Sequence, residues 1–120
     1  YVCWLKGKDG SVQGAFLADL AAALYIGGGL VMMPQPSLMD MFKQGEASET
    51  VLDGLSEIFN NIRGQLNRID LNPHVTPTDA APYTPPAEDA DEAWVYNPNK
   101  RVDLCGMTAF GPGTLTLLSR

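Results

Sequence analysis

The strongest structural signal in this 120-residue chain is the apolar periodicity of residues 51–69. On a helical wheel, at roughly 100° per residue, the large apolar side chains of this stretch share one face. They are Val51, Leu52, Leu55, Ile58, Phe59, Ile62, Leu66 and Ile69. Thr50 and Asp53 have the spacing of a capping box, which predicts the start of a helix. Because such a helix must bury its apolar face, the rest of the chain has to supply a packing surface for it.

The segments before and after this helix predict strands and shorter helices. Residues 2–6 and 11–15 flank an Asp-Gly turn, which predicts a β-hairpin. The alanine-rich stretch at 16–25 predicts a buried helix, ended or bent by the glycines at 27–29. Residues 37–43 predict a short helix that stops at Gly45, with a mobile apolar loop as the alternative. Residues 101–110 and 114–118 predict two strands around a Gly-Pro-Gly turn.

Residues 70–99 contain most of the prolines and a cluster of acidic residues. Proline removes a backbone N–H and clashes with the preceding turn, so a long helix is excluded there. We expect a Pro-rich, acidic connection with brief strands at 73–76 and 94–96. The order of elements predicts an α+β fold, a mainly antiparallel sheet with two principal helices packed on one face. We expect one domain over residues 1–120, trimmed at its N-terminal end because the chain opens on Tyr1 and not on Met.

Composition excludes several classes of protein. Apolar residues make up 45% of the chain and charged residues 18%, which is typical of a globular domain and not of a disordered one. The most apolar stretch, residues 16–33, is interrupted by Asp19 and by glycines, so we expect no membrane span. Fourteen acidic residues against eight basic ones give a net charge of −6, which argues against a nucleic-acid partner.

The two cysteines lie in apolar, strand-like segments without CxxC spacing. We expect Cys3 and Cys105 to be reduced, inert core thiols of a cytoplasmic protein, with a disulfide between them as the alternative. His74 is the only histidine, so neither a histidine-rich metal site nor a Ser-His-Asp triad is indicated. A small-molecule site could use the methionines at 32, 33, 39 and 41, although methionines at such spacing are typical of a core.

The side of the long helix opposite its apolar face carries an unusual polar stripe. Asp53, Glu57, Asn60 and Gly64 follow the i, i+4, i+7, i+11 spacing of one helix face. A glycine in mid-helix costs up to about 1 kcal/mol relative to alanine. Its presence indicates that another surface approaches closely, and an ordinary solvated face is the alternative.

The run from Asp53 to Gly64 resembles the signature helix of the CheC/CheX/FliY chemotaxis phosphatases. That pattern is Asp or Ser, three residues, Glu, two residues, Asn, and a glycine four residues on, and all four positions match. The first predicted helix offers only Asp19 and Ala22 at the matching spacing. A chain with a single Glu-x-x-Asn helix is more similar to CheX than to the two-site CheC.

This resemblance implies a phosphatase acting on the aspartyl phosphate of a CheY-like response regulator. Asn60 would position the attacking water, and Glu57 would dock a basic group of the receiver domain. Asp53, Asn61 and Gly64 would contact the same partner. The receiver would supply Mg²⁺, so no cofactor or metal is expected in this chain, and its oligomeric state stays open between monomer and homodimer. The alternative is a non-catalytic module, similar to the flagellar switch proteins, that binds a regulator.

Overall fold

The computed structural model describes all residues, Tyr1–Arg120, as a five-stranded antiparallel sheet with helices on it. The strands are β1 (Val2–Lys6), β2 (Val12–Ala18), β3 (Thr76–Pro77), β4 (Lys100–Thr108) and β5 (Gly111–Ser119). The helices are α1 (Leu20–Leu30), α2 (Gln35–Gln44) and α3 (Glu49–Leu66), with a 3₁₀ helix at Asp91–Tyr96. The strand order is β3-β1-β2-β5-β4, with antiparallel pairing throughout. The predicted α+β class is confirmed.

The main core lies between the sheet and the pair α1 and α3. Phe59 of α3 stacks on Phe16 of β2, with ring centroids 4.8 Å apart and planes 8° from parallel. Leu55 is fully buried in the same cluster. The apolar face predicted for the long helix is therefore the face that packs on the sheet. None of the helices combines the length and the apolar character needed to cross a membrane.

The start of the first helix was predicted wrongly. Phe16 and Ala18 belong to β2, where both side chains are buried. Asp19 ends the strand and caps α1, because its Oδ1 accepts a hydrogen bond from the Ala22 N–H at 2.8 Å. Its Oδ2 accepts another from the Thr114 N–H of β5 at 2.9 Å. Asp19 is thus a structural cap that joins helix and sheet.

Helix α1 continues through the glycines at 27–29 and ends one residue later, at Leu30. A Cβ on Gly27 would lie 2.4 Å from the Val51 carbonyl oxygen, and one on Gly54 would lie 2.4 Å from the Gly27 carbonyl oxygen. The backbones of α1 and α3 therefore touch where no side chain can fit. A Cβ on Gly29, by contrast, would meet nothing within 4 Å.

The other two helices follow the prediction closely. Helix α2 ends at Gly45, which adopts the left-handed conformation with φ of 81°. Helix α3 starts two residues early, because Ser48 is its cap and accepts from the Val51 N–H at 3.4 Å. The predicted capping box of Thr50 and Asp53 was therefore wrong. Three of the four clustered methionines, Met33, Met39 and Met41, pack beside the core around α2. The fourth, Met32, is exposed.

The long connection at 70–99 contains no long helix, as predicted. Its first strand is displaced to Thr76–Pro77, and the strand predicted at 94–96 is a 3₁₀ helix instead. Trp94 and Val95 of this helix cover the sheet face away from α1 and α3, where Val2 and Leu118 are buried. These two apolar residues were mistaken for part of a strand because they pack on the sheet, although they do not pair with it.

The closing hairpin turns earlier than predicted. Thr108 accepts from the Phe110 N–H at 3.0 Å and donates to the Gly111 carbonyl at 2.7 Å. The turn therefore precedes the Gly-Pro-Gly sequence, which forms the start of β5. Phe110 is buried with Leu38 and Val51 in the core around α2, and this burial anchors the turn.

The two cysteines, both free, have opposite environments. Cys3 is fully buried, and its thiol donates to the Thr78 carbonyl oxygen at 2.9 Å. Burial raises the pKa of the Cys3 thiol to about 11. Cys105 is exposed on β4, an edge strand whose residues are almost all exposed. The prediction of a buried thiol was right for Cys3. It was wrong for Cys105, because neither the helices on one face of the sheet nor the 3₁₀ helix on the other covers this edge strand.

We expect a thiol reagent at pH 8 to add one label rapidly and the second only on unfolding. Cys105 is accessible, whereas Cys3 is buried and its raised pKa leaves little of the reactive thiolate. Mass spectrometry over time counts the labels, and Cys105→Ser should remove the rapid one. Rapid labelling of the Cys105→Ser variant would contradict the assignment of the rapid label to Cys105.

The raised pKa of Cys3 also makes its contribution to stability depend on pH. Because the pKa is raised in the folded chain, this contribution is complete below pH 9 and falls as the pH rises towards 11.

Candidate functional site

An open cleft of about 410 Å³ runs along α3. One wall is the polar side of α3, and the other is the segment at 76–79, which contains β3. No large apolar side chain lines the cleft, which is formed by Asp53, Ser56, Glu57, Asn60, Arg63, Thr76, Pro77, Thr78 and Asp79. The helix spacing seen in the sequence therefore brings three of the predicted residues, Asp53, Glu57 and Asn60, into one cleft.

Hydrogen bonds join the two walls at their base. The Ser56 hydroxyl donates to the Leu52 carbonyl at 2.8 Å and accepts from the Ala80 N–H at 2.8 Å. Thr78 is tied to β1, because its hydroxyl accepts from the Trp4 N–H at 3.0 Å and its own N–H donates to the Trp4 carbonyl at 2.8 Å. The second wall is thus held at a set distance from α3. It belongs to the Pro-rich connection, and no sequence pattern indicated its position.

Glu57 is exposed at the cleft and is supported by its neighbour on the helix. The Asn61 amide donates to the Glu57 backbone carbonyl at 3.0 Å and lies 3.4 Å from its carboxylate. Asn61 itself does not line the cleft. Its contact with a partner therefore stays a prediction, while its hydrogen bonds orient the side chain of Glu57.

Asn60 is half-buried and contacts a residue that the sequence reasoning did not single out. The Arg63 Nη2 group donates to the Asn60 Oδ1 atom. The i, i+3 spacing was the available signal, because residues three apart on a helix are neighbours. Arg63 forms no salt bridge, since the ion pairs of the chain are Arg101–Asp103 and Arg120–Asp91.

Gly64 has free space around it. A Cβ at this position would meet no atom within 4 Å, so nothing inside the protein requires a glycine there. The residue lies beyond the cleft lining, one turn after Asn60 on the same helix. Because Gly64 has no side chain, the backbone of another molecule can approach the helix closely beside Asn60.

The electrostatics of the cleft favour a basic partner. Asp53, Glu57 and Asp79 supply three carboxylates against the single guanidinium of Arg63. The whole chain is acidic as well, with a net charge of −6. No group of three or more His, Cys, Asp or Glu side chains is arranged to hold a metal ion.

Two further cavities, of about 240 and 260 Å³, lie beside β4 and β5 and are lined largely by apolar residues. Neither brings carboxylate and carboxamide side chains together. The cleft along α3 is therefore the better candidate for chemistry.

Comparison of the chain with protein-family models, with curated proteins and with solved structures finds no match in any of the three. Fold and site together define an α+β domain whose longest helix presents an acidic, polar cleft to solvent.

Proposed function

We propose that this chain is a phosphatase that hydrolyses the aspartyl phosphate of a CheY-like response regulator. The observation that carries the proposal is that Glu57 and Asn60 line one open cleft on a single helix. The unobstructed Gly64 follows one turn later. This arrangement matches what the resemblance to the CheC/CheX/FliY signature helix requires.

The proposed hydrolysis requires only one chemical contribution from this chain. An acyl phosphate is already activated, and a receiver domain brings its own Mg²⁺ and lysine. The missing element is a water held in line with the phosphorus atom. A carboxamide can donate to and accept from that water without placing a negative charge near the phosphoryl oxygens. Asn60 supplies this group.

The acidic side chains serve docking. Glu57 is exposed and can pair with the receiver lysine or with another basic group near the phosphorylation site. Asp53 lies one turn earlier in the same cleft and extends the acidic surface. Gly64 leaves room for the backbone of the receiver.

The decisive experiment mixes the protein with phosphorylated receiver domains from the same genome and times the loss of phosphate. We expect at least one receiver to be dephosphorylated faster in proportion to the amount of protein added. If no receiver responds, the enzyme proposal fails. A measurable complex with a receiver, weakened by Glu57→Ala, would then favour the non-catalytic binding module.

We expect Glu57→Ala to raise the receiver concentration needed for half-maximal rate and to leave the maximal rate nearly unchanged. The lost interaction is a charge pair at an interface, so the difference from wild type should shrink as salt screens it. A titration of receiver at two ionic strengths measures both effects. Glu49→Ala is the matched control, because it removes the same charge from α3 outside the cleft. An equal shift in the control would mean that only net charge matters.

A further inference from the structure

Arg63 has more hydrogen-bonding capacity than the structure uses. A guanidinium carries five N–H donors. Within the protein its one hydrogen bond goes to Asn60 Oδ1, and its buried Nε has no partner. No carboxylate lies within salt-bridge distance of it, although three carboxylates line the same cleft. An arginine placed in this way needs a reason beyond charge balance.

The contact settles how the Asn60 carboxamide is turned. Arginine has only donors, so the atom of Asn60 that faces it has to be the carbonyl oxygen and not the NH₂ group. The Nδ2 atom then faces away from Arg63. It has no hydrogen-bond partner in the protein, and it is not among the buried unpartnered atoms, so it is open to solvent.

We propose that Arg63 is a positioning residue that holds the Asn60 carboxamide in this single orientation within the cleft. The inference deepens the proposed function and rests on it for its catalytic consequence. Arg63 occupies one lone pair of Oδ1. The second lone pair and both N–H donors of the amide are left for the attacking water and the phosphoryl group. Withdrawal of electron density by the guanidinium also makes the amide N–H groups better donors.

The orientation is tested first in the isolated protein by NMR of side-chain amide groups. The NH₂ signals of Asn60 are assigned by their loss in Asn60→Ala. In Arg63→Met, which keeps the unbranched stem, we expect these signals to shift and their heteronuclear NOE to fall. Arg68→Met is the matched control, because Arg68 is exposed, lies just beyond α3 and forms its one side-chain hydrogen bond with Gln65. It should leave the Asn60 signals unchanged.

The kinetic test uses the same variants with a phosphorylated receiver. Arg63→Met should lower kcat about fivefold, the size expected for one lost hydrogen bond, and should leave KM unchanged. Arg63→Lys keeps one donor and should restore part of the rate and of the NMR signature. A merely structural role for Arg63 would lower the unfolding midpoint without altering the Asn60 signals.

The outcomes separate this inference from the proposed function. Asn60 signals that stay in place in Arg63→Met overturn the positioning role, whatever the activity. A shift of those signals together with a lower kcat supports it. A higher KM with unchanged kcat overturns it in favour of docking. If the wild type dephosphorylates no receiver, the proposed function fails, and the NMR comparison alone still decides whether Arg63 orients Asn60.

Discussion

Gly54→Ala is expected to lower the free energy of unfolding by about 3 kcal/mol, although alanine is the better helix former. The added Cβ would lie 2.4 Å from the carbonyl oxygen of Gly27. Because this oxygen belongs to the backbone, no side-chain rotation can relieve the clash. Helices α1 and α3 would have to move apart. That movement would loosen the packing of Phe59 on Phe16 and of the core around them.

Chemical denaturation measures this effect, with Gly29→Ala as the matched control. Gly29 lies on α1 close to the same crossing, but a Cβ there meets nothing within 4 Å. Its replacement by alanine should therefore raise the free energy of unfolding by up to about 1 kcal/mol. Opposite signs for the two substitutions are the signature of the backbone contact. If both substitutions stabilise the protein, the backbones of α1 and α3 are not in close contact at this crossing.

Asn60→Ala is expected to reduce receiver dephosphorylation by about a hundredfold, because the attacking water loses the group that positions it. Folding should change little, since alanine favours the helix and Asn60 is only half-buried. The rate of phosphate loss at saturating receiver is the measurement. Thermal unfolding of the same samples shows whether the variant is intact.

Asn61→Ala provides the control for this substitution. It removes the same carboxamide from the next position of α3, but Asn61 lies outside the cleft. We expect a nearly normal maximal rate, with a small shift in the receiver concentration for half-maximal rate because Asn61 supports Glu57. Full activity of Asn60→Ala, or an equal loss in Asn61→Ala, would contradict the assignment of Asn60 to the water.

The parts of the fold that could be predicted from the sequence are those specified by neighbouring residues. Asp9 and Gly10 lie in the turn between β1 and β2, and Gly10 has the positive φ that the turn needs. Gly45 ends α2 for the same conformational reason. The apolar period of α3 identified its buried face and its approximate position. Its end was predicted wrongly, because the helix stops at Leu66 and Ile69 is exposed beyond it.

The stripe of the candidate site was predictable for a similar reason. Helix geometry alone places Asp53, Glu57 and Asn60 on one side of α3, whatever the helix packs against. The segment that closes the cleft could not be predicted, because Thr76–Pro77 is two residues long and is held by pairing with β1. Arg63 was missed because its i, i+3 spacing shows only that it lies beside Asn60 on the helix. Whether the two side chains form a hydrogen bond depends on their rotamers and surroundings, which spacing does not reveal.

The sequence by itself determined the α+β class, the long helix and its polar stripe, because each follows from local turn chemistry or periodicity. Only the tertiary structure decided what equivalent residues do. Gly54 is required by a backbone contact and Gly64 is not, although both lie in α3. Cys3 is buried in an interior strand and Cys105 is exposed on an edge strand, although both were predicted as core thiols. The physical reason is that burial and close contact depend on what lies opposite in space, and residues distant in the chain supply it.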